Sequence, residues 1–343
     1  MPKKLRLAVL YILCFGSFFP MVQAQDAGVF SQFFSAPQQL NPALTGGTYA
    51  PRFFINYRNQ WPSLNNAYVT YAVSYDQLIP SSNSAFGLSI MNDQAGDGLY
   101  NTTKVNAAYA YTFKMEDLFI KGGLEAGFSQ LRLSWNQLVF LDMIDPVNGP
   151  VGADGLLNPT QENTPNSFNK TYADFSAGVL AFNKTYYGGV SVKHLNGPDE
   201  SFIQDFQAAV LPIRWTVHGG AQFNIRDKHR NYLEGMFVSP NVMYVRQGEF
   251  QQVNAGAYVS ASNVFGGAWY RHTFGNPDAL IMLIGMQKYI FKVGYSYDVT
   301  LSSLSAQSNG AHEISIAINF DNDPKIRKKM RARRYIDCFQ IFR

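Results

Sequence analysis

From Ala311 to Phe320 the chain alternates without a break. His312, Ile314, Ile316, Ile318 and Phe320 fall on one face of an extended segment, and Ala311, Glu313, Ser315, Ala317 and Asn319 on the other. Successive side chains of a strand point to opposite sides, so a period of two marks a strand whose faces meet two different environments. Lys288 to Asp298 repeats the pattern, with Tyr289, Phe291, Val293, Tyr295 and Tyr297 opposing Lys288, Ile290, Lys292, Gly294, Ser296 and Asp298. Many alternating, aromatic-rich segments of this kind separated by turn residues predict an all-β chain closed into a transmembrane antiparallel β-barrel. A soluble two-layer sandwich shares the alternation. A charged fraction of 15% and an aromatic fraction of 15% suit a wall that is apolar outside and polar inside.

Ahead of the strands, Lys3, Lys4 and Arg6 precede an apolar run from Leu7 to Phe19 that ends in Val22-Gln23-Ala24. Residues 1–24 therefore read as a secretory signal peptide cut after Ala24. An uncleaved membrane helix needs about 20 apolar residues, and this run stops at Pro20. Cys14 lies inside the run behind Leu13, not behind the small residue that a lipidation site needs, and leaves with the signal. Cys338 is then the one cysteine of the mature chain, so no intramolecular disulfide is expected.

Alternation and turn residues place strands near 52–60, 67–76, 84–92, 101–113, 118–132, 171–183, 185–194, 213–225, 231–247, 251–260, 263–272, 278–286, 288–298 and 311–320. That is about fourteen, an even count as single-chain bacterial barrels require. Pro240 falls inside the ninth and predicts a split or a bulge there. The long connections, 133–170, 195–212 and 299–310, all follow odd-numbered strands, whereas those after the even strands through the twelfth are short. Such barrels put short turns in the periplasm and long loops outside, so both termini are expected in the periplasm.

Catalytic and metal constellations are weak. His312-Glu313 would open a zinc-binding H-E-x-x-H, but Ile316 stands at its fifth position and the pair sits on an alternating strand. No G-x-S-x-G elbow supports an outer-membrane phospholipase. Asp93, Asp97 and Gly98 only loosely resemble a calcium loop. Paired glycines such as Gly122-Gly123 and Gly188-Gly189 fit bends and close approach in a curved wall, not a phosphate cradle. No enzyme activity, cofactor or metal is expected.

Charge is unevenly spread. The tail from Asp321 to Arg343 carries eight basic residues against three acids, net +5, whereas Gln25 to Phe320 carries −4. Behind a signal peptide this basic run does not imply nucleic acid. It pairs Lys328, Lys329, Arg331, Arg333 and Arg334 with Tyr335, Phe339 and Phe342, which are the candidate partner-binding residues of a periplasmic docking tail at 321–343. The alternative is a solvated tail. At the other end, residues 25–51 hold Phe30, Phe33, Phe34, Pro37 and Asn41-Pro42, too apolar for free coil. This segment is expected either to plug the barrel mouth or to strap its base, ahead of a barrel at 52–320.

QFFSAPQQLNPALTGG from Gln32, YRNQW from Tyr57, YADFSAGVLAF from Tyr172, YYGGVSVKHLNGP from Tyr186 and VGYSYDVTLSSL from Val293 with HEISI from His312 together resemble the PorP/SprF family of type IX secretion outer-membrane proteins of the Bacteroidetes. The match runs in order through nearly the whole mature chain. The resemblance implies a non-enzymatic outer-membrane barrel that partners other type IX components in the periplasm and outer membrane. It also implies a role in exporting or attaching a large secreted surface protein or adhesin, as in gliding motility, with membrane lipid around the barrel. The basic tail departs from the simplest family pattern, in which the chain stops soon after its last strand. A substrate-specific porin or hydrophobic-solute transporter is the alternative function. The two differ in what fills the lumen, because a transporter needs a continuous path and a docking barrel does not.

Overall fold

A computed structural model describes residues 29–64, 67–152, 154–165, 167–202, 209–226, 236–274, 276–301, 309–322, 326, 339 and 342. Its strands are β1 (Arg52–Gln60), β2 (Tyr68–Ile79), β3 (Ser84–Ala95), β4 (Tyr100–Met115), β5 (Leu118–Leu133), β6 (Asn169–Phe182), β7 (Tyr186–Lys193) and β8 (Arg214–Ala221). They continue as β9 (Phe223–Arg226), β10 (Met236–Gln247), β11 (Phe250–Ala261), β12 (Val264–Thr273), β13 (Asn276–Lys288), β14 (Phe291–Thr300) and β15 (Ala311–Asn319). All pairings are antiparallel, and β15 returns to β1 with Ile316 opposite Ile55. The ring is closed, which rules out the two-layer sandwich and, among the described residues, leaves no strand at the outer edge of an open sheet once β8 and β9 are taken together.

Fourteen staves make the wall, because β8 and β9 are one stave. Both pair with β10, and the register is the same on either side of the break, with Asn241 opposite Gly220 and Val238 opposite Phe223. The missing rungs face Ser239 and Pro240, and Pro240 has no N–H to donate. The split expected at this proline therefore falls on the neighbouring strand, while β10 itself runs through unbroken.

The two faces of the wall are inverted relative to a soluble protein. On β15, Glu313 is fully buried toward the lumen and Ile314 is 42% exposed on the outside. On β5, Lys121 and Glu125 face inward whereas Leu124 and Phe128 are 64% and 66% exposed. In water each such apolar side chain would forgo about 1.5–3 kcal/mol of burial, so the outer face suits an apolar surrounding. Rings mark the rims of this belt. Phe53, Tyr75 and Phe86 lie in sequence at centroid distances of 4.8 and 5.9 Å, with Phe320 at 6.5 Å from Phe53, at the end where the chain enters and leaves the wall. Trp61 and Tyr68 pair at 5.7 Å at the long-loop end. Aromatic girdles at both interfaces are the mark of an outer-membrane barrel.

Several strands outrun their apolar stretch. β3 continues to Ala95, three residues past the expected end, because its ladder persists after the alternation stops. Asn92 donates to Asn101 Oδ1 and Thr103 Oγ1 on β4 at 2.7 and 2.9 Å, and Thr70 of β2 donates to Asp93. β13 reaches Lys288 and turns through Tyr289-Ile290, where the sequence predicts a turn at Gln287 and a strand from Lys288. Tyr289 takes a positive φ of 56°, unusual for an aromatic residue, which is why its alternating position reads as strand. The strand expected from 231 is seen from Met236 onward, and residues 227–235 lie outside the described residues.

Candidate functional site

Residues 30–48 lie inside the ring. Their contacts reach β1, β14 and β15 on one side and β5, β6, β7 and β8 on the other, which only a segment within the lumen can do. Local chemistry sets its path: short turns at Phe33–Ser35, Pro37–Leu40 and Pro42–Leu44 each end where the next residue breaks the helix. Pro37 and Pro42 occupy the first positions of their turns, where a missing N–H costs nothing. Asn41 caps the third turn by accepting from Ala43 N at 2.9 Å.

A segment this irregular leaves backbone groups unpaired, and away from water each must find a partner. The inward-facing charges of the wall supply them. Lys121 Nζ donates to the Gly46 carbonyl at 2.9 Å, Lys193 Nζ to that of Gln38 at 3.3 Å, and Ser191 Oγ to that of Leu40 at 2.7 Å. Lys193 also pairs with Glu125 at 3.1 Å. In the other direction the Ser31 and Gln32 N–H groups donate to the Glu313 carboxylate at 2.8 and 2.9 Å.

That carboxylate belongs to a buried four-charge cluster. Arg58 Nη1 lies 3.1 Å from Asp298 and 3.2 Å from Glu313, and Arg271 Nη2 lies 3.0 Å from Asp298. Ser31 Oγ donates to Asp298 at 2.6 Å and accepts from Arg271. Two guanidinium groups and two carboxylates cancel, so the cluster adds no net charge to the interior, and the plug adds donors to both carboxylates through Ser31 and Gln32. Below it, Phe34 stacks on Trp269 at 5.6 Å and meets Tyr258 edge-on at 5.6 Å. Asn41 Nδ2 spans three partners on β6, β7 and β8: Val179 O at 3.2 Å, Val190 O at 3.3 Å and His218 Nε2 at 3.1 Å.

The wall is carved to receive this segment. A Cβ on Gly123 would come within 2.3 Å of Ala43 N, and one on Gly178 within 2.0 Å of Asn41 Oδ1. These glycines are positions of close backbone approach.

Of the tail residues singled out in the sequence, Lys328, Lys329, Arg331, Arg333, Arg334 and Tyr335 lie outside the described residues. Phe339 and Phe342 are buried in the same aromatic cluster as the plug, with ring centroids 4.6 and 5.3 Å from Tyr187. Arg52 ties the parts together: Nη1 donates to the Phe342 carbonyl at 2.5 Å, Nη2 to that of Leu44 at 3.3 Å, and Nε to Asp76 at 2.8 Å. Asp321, just past β15, accepts from the Tyr49 and Ala50 N–H groups.

The residues that hold the plug were not singled out in the sequence. Glu313 and Asp298 stood on the polar face of their strands, which signals an inward charge, but nothing in one sequence names partners more than 200 positions away. His312 and Glu313 diverge to opposite faces of β15, with His312 outside and 2.8 Å from the Tyr295 hydroxyl. Among the described residues no three His, Cys, Asp or Glu side chains come together as a metal site.

The family model for the type IX secretion system membrane protein PorP/SprF matches residues 22–318. No curated protein matches the chain. Among solved structures it is similar to the Ralstonia pickettii toluene transporter TbuX, at 11% identity and TM-score 0.46, covering 82% of this chain and 92% of that one. The Acinetobacter baumannii outer membrane protein Omp33 is similar at 9% identity and TM-score 0.43, with 80% and 98% covered. BamA from Haemophilus ducreyi lacking POTRA domains 1–3 is similar at 10% identity and TM-score 0.39, with 78% and 70% covered.

Proposed function

Since the chain belongs to the type IX secretion system membrane protein PorP/SprF family, we propose that it is a non-enzymatic outer-membrane component of that system. In this role it supports export or surface attachment of large secreted proteins, adhesins among them. The observation that carries this over a porin or hydrophobic-solute transporter is the filled lumen. Residues 30–48 are joined to the wall by the Arg58, Arg271, Asp298 and Glu313 cluster and by wall lysines, and a transporter needs a continuous path.

The parity of long and short connections supports an orientation with the long loops outside and both termini in the periplasm. There the basic run of Lys328, Lys329, Arg331, Arg333 and Arg334, with Tyr335, would contact an acidic protein of the machinery. Phe339 and Phe342, buried against Tyr187, would fix the far end of that run to the barrel instead of meeting the partner.

Deleting the gene and comparing surface proteome and growth tests the proposal. Loss of one or a few large surface proteins, with small-solute uptake unchanged, is expected. A growth defect on one nutrient with an unchanged surface proteome would favour the transporter.

A further inference from the structure

The described residues of 134–168, between β5 and β6, form a folded loop raised above the apolar belt. On β5 the outward positions change from Leu124, Ala126 and Phe128 to exposed Gln130 and Arg132. Four residues from Gln130 to Leu133, at about 3.3 Å each and a tilt of about 40°, lift the loop roughly 10 Å clear of the apolar band. Its shape is set internally. Trp135 stacks on Phe168 at 6.0 Å and meets Phe140 at 4.9 Å. Asp142 accepts from Gln161 N at 2.6 Å, and Asn158 Nδ2 donates to the Met143 carbonyl at 2.8 Å.

Two properties of this loop point the same way. Leu141 and Val147 are each 89% exposed and Leu156 68%, although the loop around them is braced. Residues 134–168 also contain Asp142, Asp145, Asp154 and Glu162 and no Lys, Arg or His. Hydrogen bonds from backbone N–H groups hold the Asp142 and Asp145 carboxyls below the usual range, so both stay ionised. We propose that this loop is a docking surface for a second protein whose contact face is apolar and rimmed by Lys and Arg. An anionic headgroup layer would repel four acids. A two-fold contact with another copy of this loop would set four acids against four. The aliphatic side chains supply burial, and the acids select a basic rim and speed encounter.

The location of that partner outside the cell rests on the proposed orientation, while the surface chemistry does not. A photo-crosslinking amino acid at Leu141 or Val147 in intact native cells, with one at Lys114 on the opposite end as control, tests the inference. Heat-modifiable gel migration verifies that each variant assembles. Expected is an adduct with a different protein at 141 and 147 whose mapped peptide places apolar residues beside Lys or Arg. Its yield should fall roughly fivefold or more when Glu162→Lys and Asp154→Asn are introduced together. An adduct with a second copy or with lipid, no adduct, or a yield indifferent to the charge change would overturn it. Such an adduct in a species whose surface proteome survives gene deletion would leave the docking surface standing and remove the export role.

Discussion

Arg52 holds the carbonyl of Phe342, 290 positions away in sequence, while the same guanidinium clasps both carboxylate oxygens of Asp76. Wall, plug and chain end thus meet on one side chain, itself 1% exposed. Arg52→Ala would leave Asp76 buried and unpaired, and is expected to cost about 3–5 kcal/mol in denaturant unfolding from detergent micelles. Adding Asp76→Asn should recover much of that loss. A cost below about 1 kcal/mol for the single variant would show that the pair is not buried as described.

Gly123→Val should expel the plug without preventing barrel closure, because its side chain would occupy the place of the Ala43 backbone. With Ala43→Cys as reporter, in a chain lacking Cys338, thiol labelling of the purified barrel should be slow in the parent and fast in the variant. Equal labelling in both, with heat-modifiable migration retained, would contradict the tight fit.

Asp199 lies in the connection between β7 and β8, where the Ser201 N–H and then Lys170 hold its carboxyl down at about 2. A depressed carboxylate contributes above its ordinary value and is lost as pH falls through the lowered one. The local clasp should therefore persist at pH 4 and dissolve as pH approaches 2. A carbon-13 titration of the Asp199 carboxyl should show this low midpoint, and Lys170→Met should move it only part of the way up, since the Ser201 bond remains. A midpoint near 3.8 in the parent would remove the clasp.

Orientation is checked at Leu141, the most exposed aliphatic of the long loop together with Val147. Leu141→Cys, again without Cys338, should react with a membrane-impermeant maleimide in intact cells. Reaction only after permeabilisation would invert the barrel.

Much of this wall was legible in the sequence because lipid outside and polar lumen inside impose one rule on every stave. Where the rule lapses, so does legibility. β3 past Asn92 is held by side-chain ladders without apolar alternation, and Tyr289 bends the chain with a residue that pattern assigns to a strand. The lumen was less readable. Phe33, Phe34 and Asn41-Pro42 announced a segment that would not stay in water, but their destination depends on Trp269, Tyr258 and His218. Those contacts exist only once the ring has closed. Phe339 and Phe342 drew attention as aromatics beside charges, and only their packing on Tyr187 reveals that they face the barrel.

The barrel is proposed to serve export with its lumen filled. Leu40 and Ser191 are already joined across the plug and wall by a 2.7 Å hydrogen bond, so cysteines at both positions can be bridged by a short thiol cross-linker in cells. Quantifying the dependent surface protein before and after bridging tests the claim most directly. Export at the normal level with the plug locked is the predicted result, and loss of export on locking, restored when a cleavable linker is reduced, would contradict it.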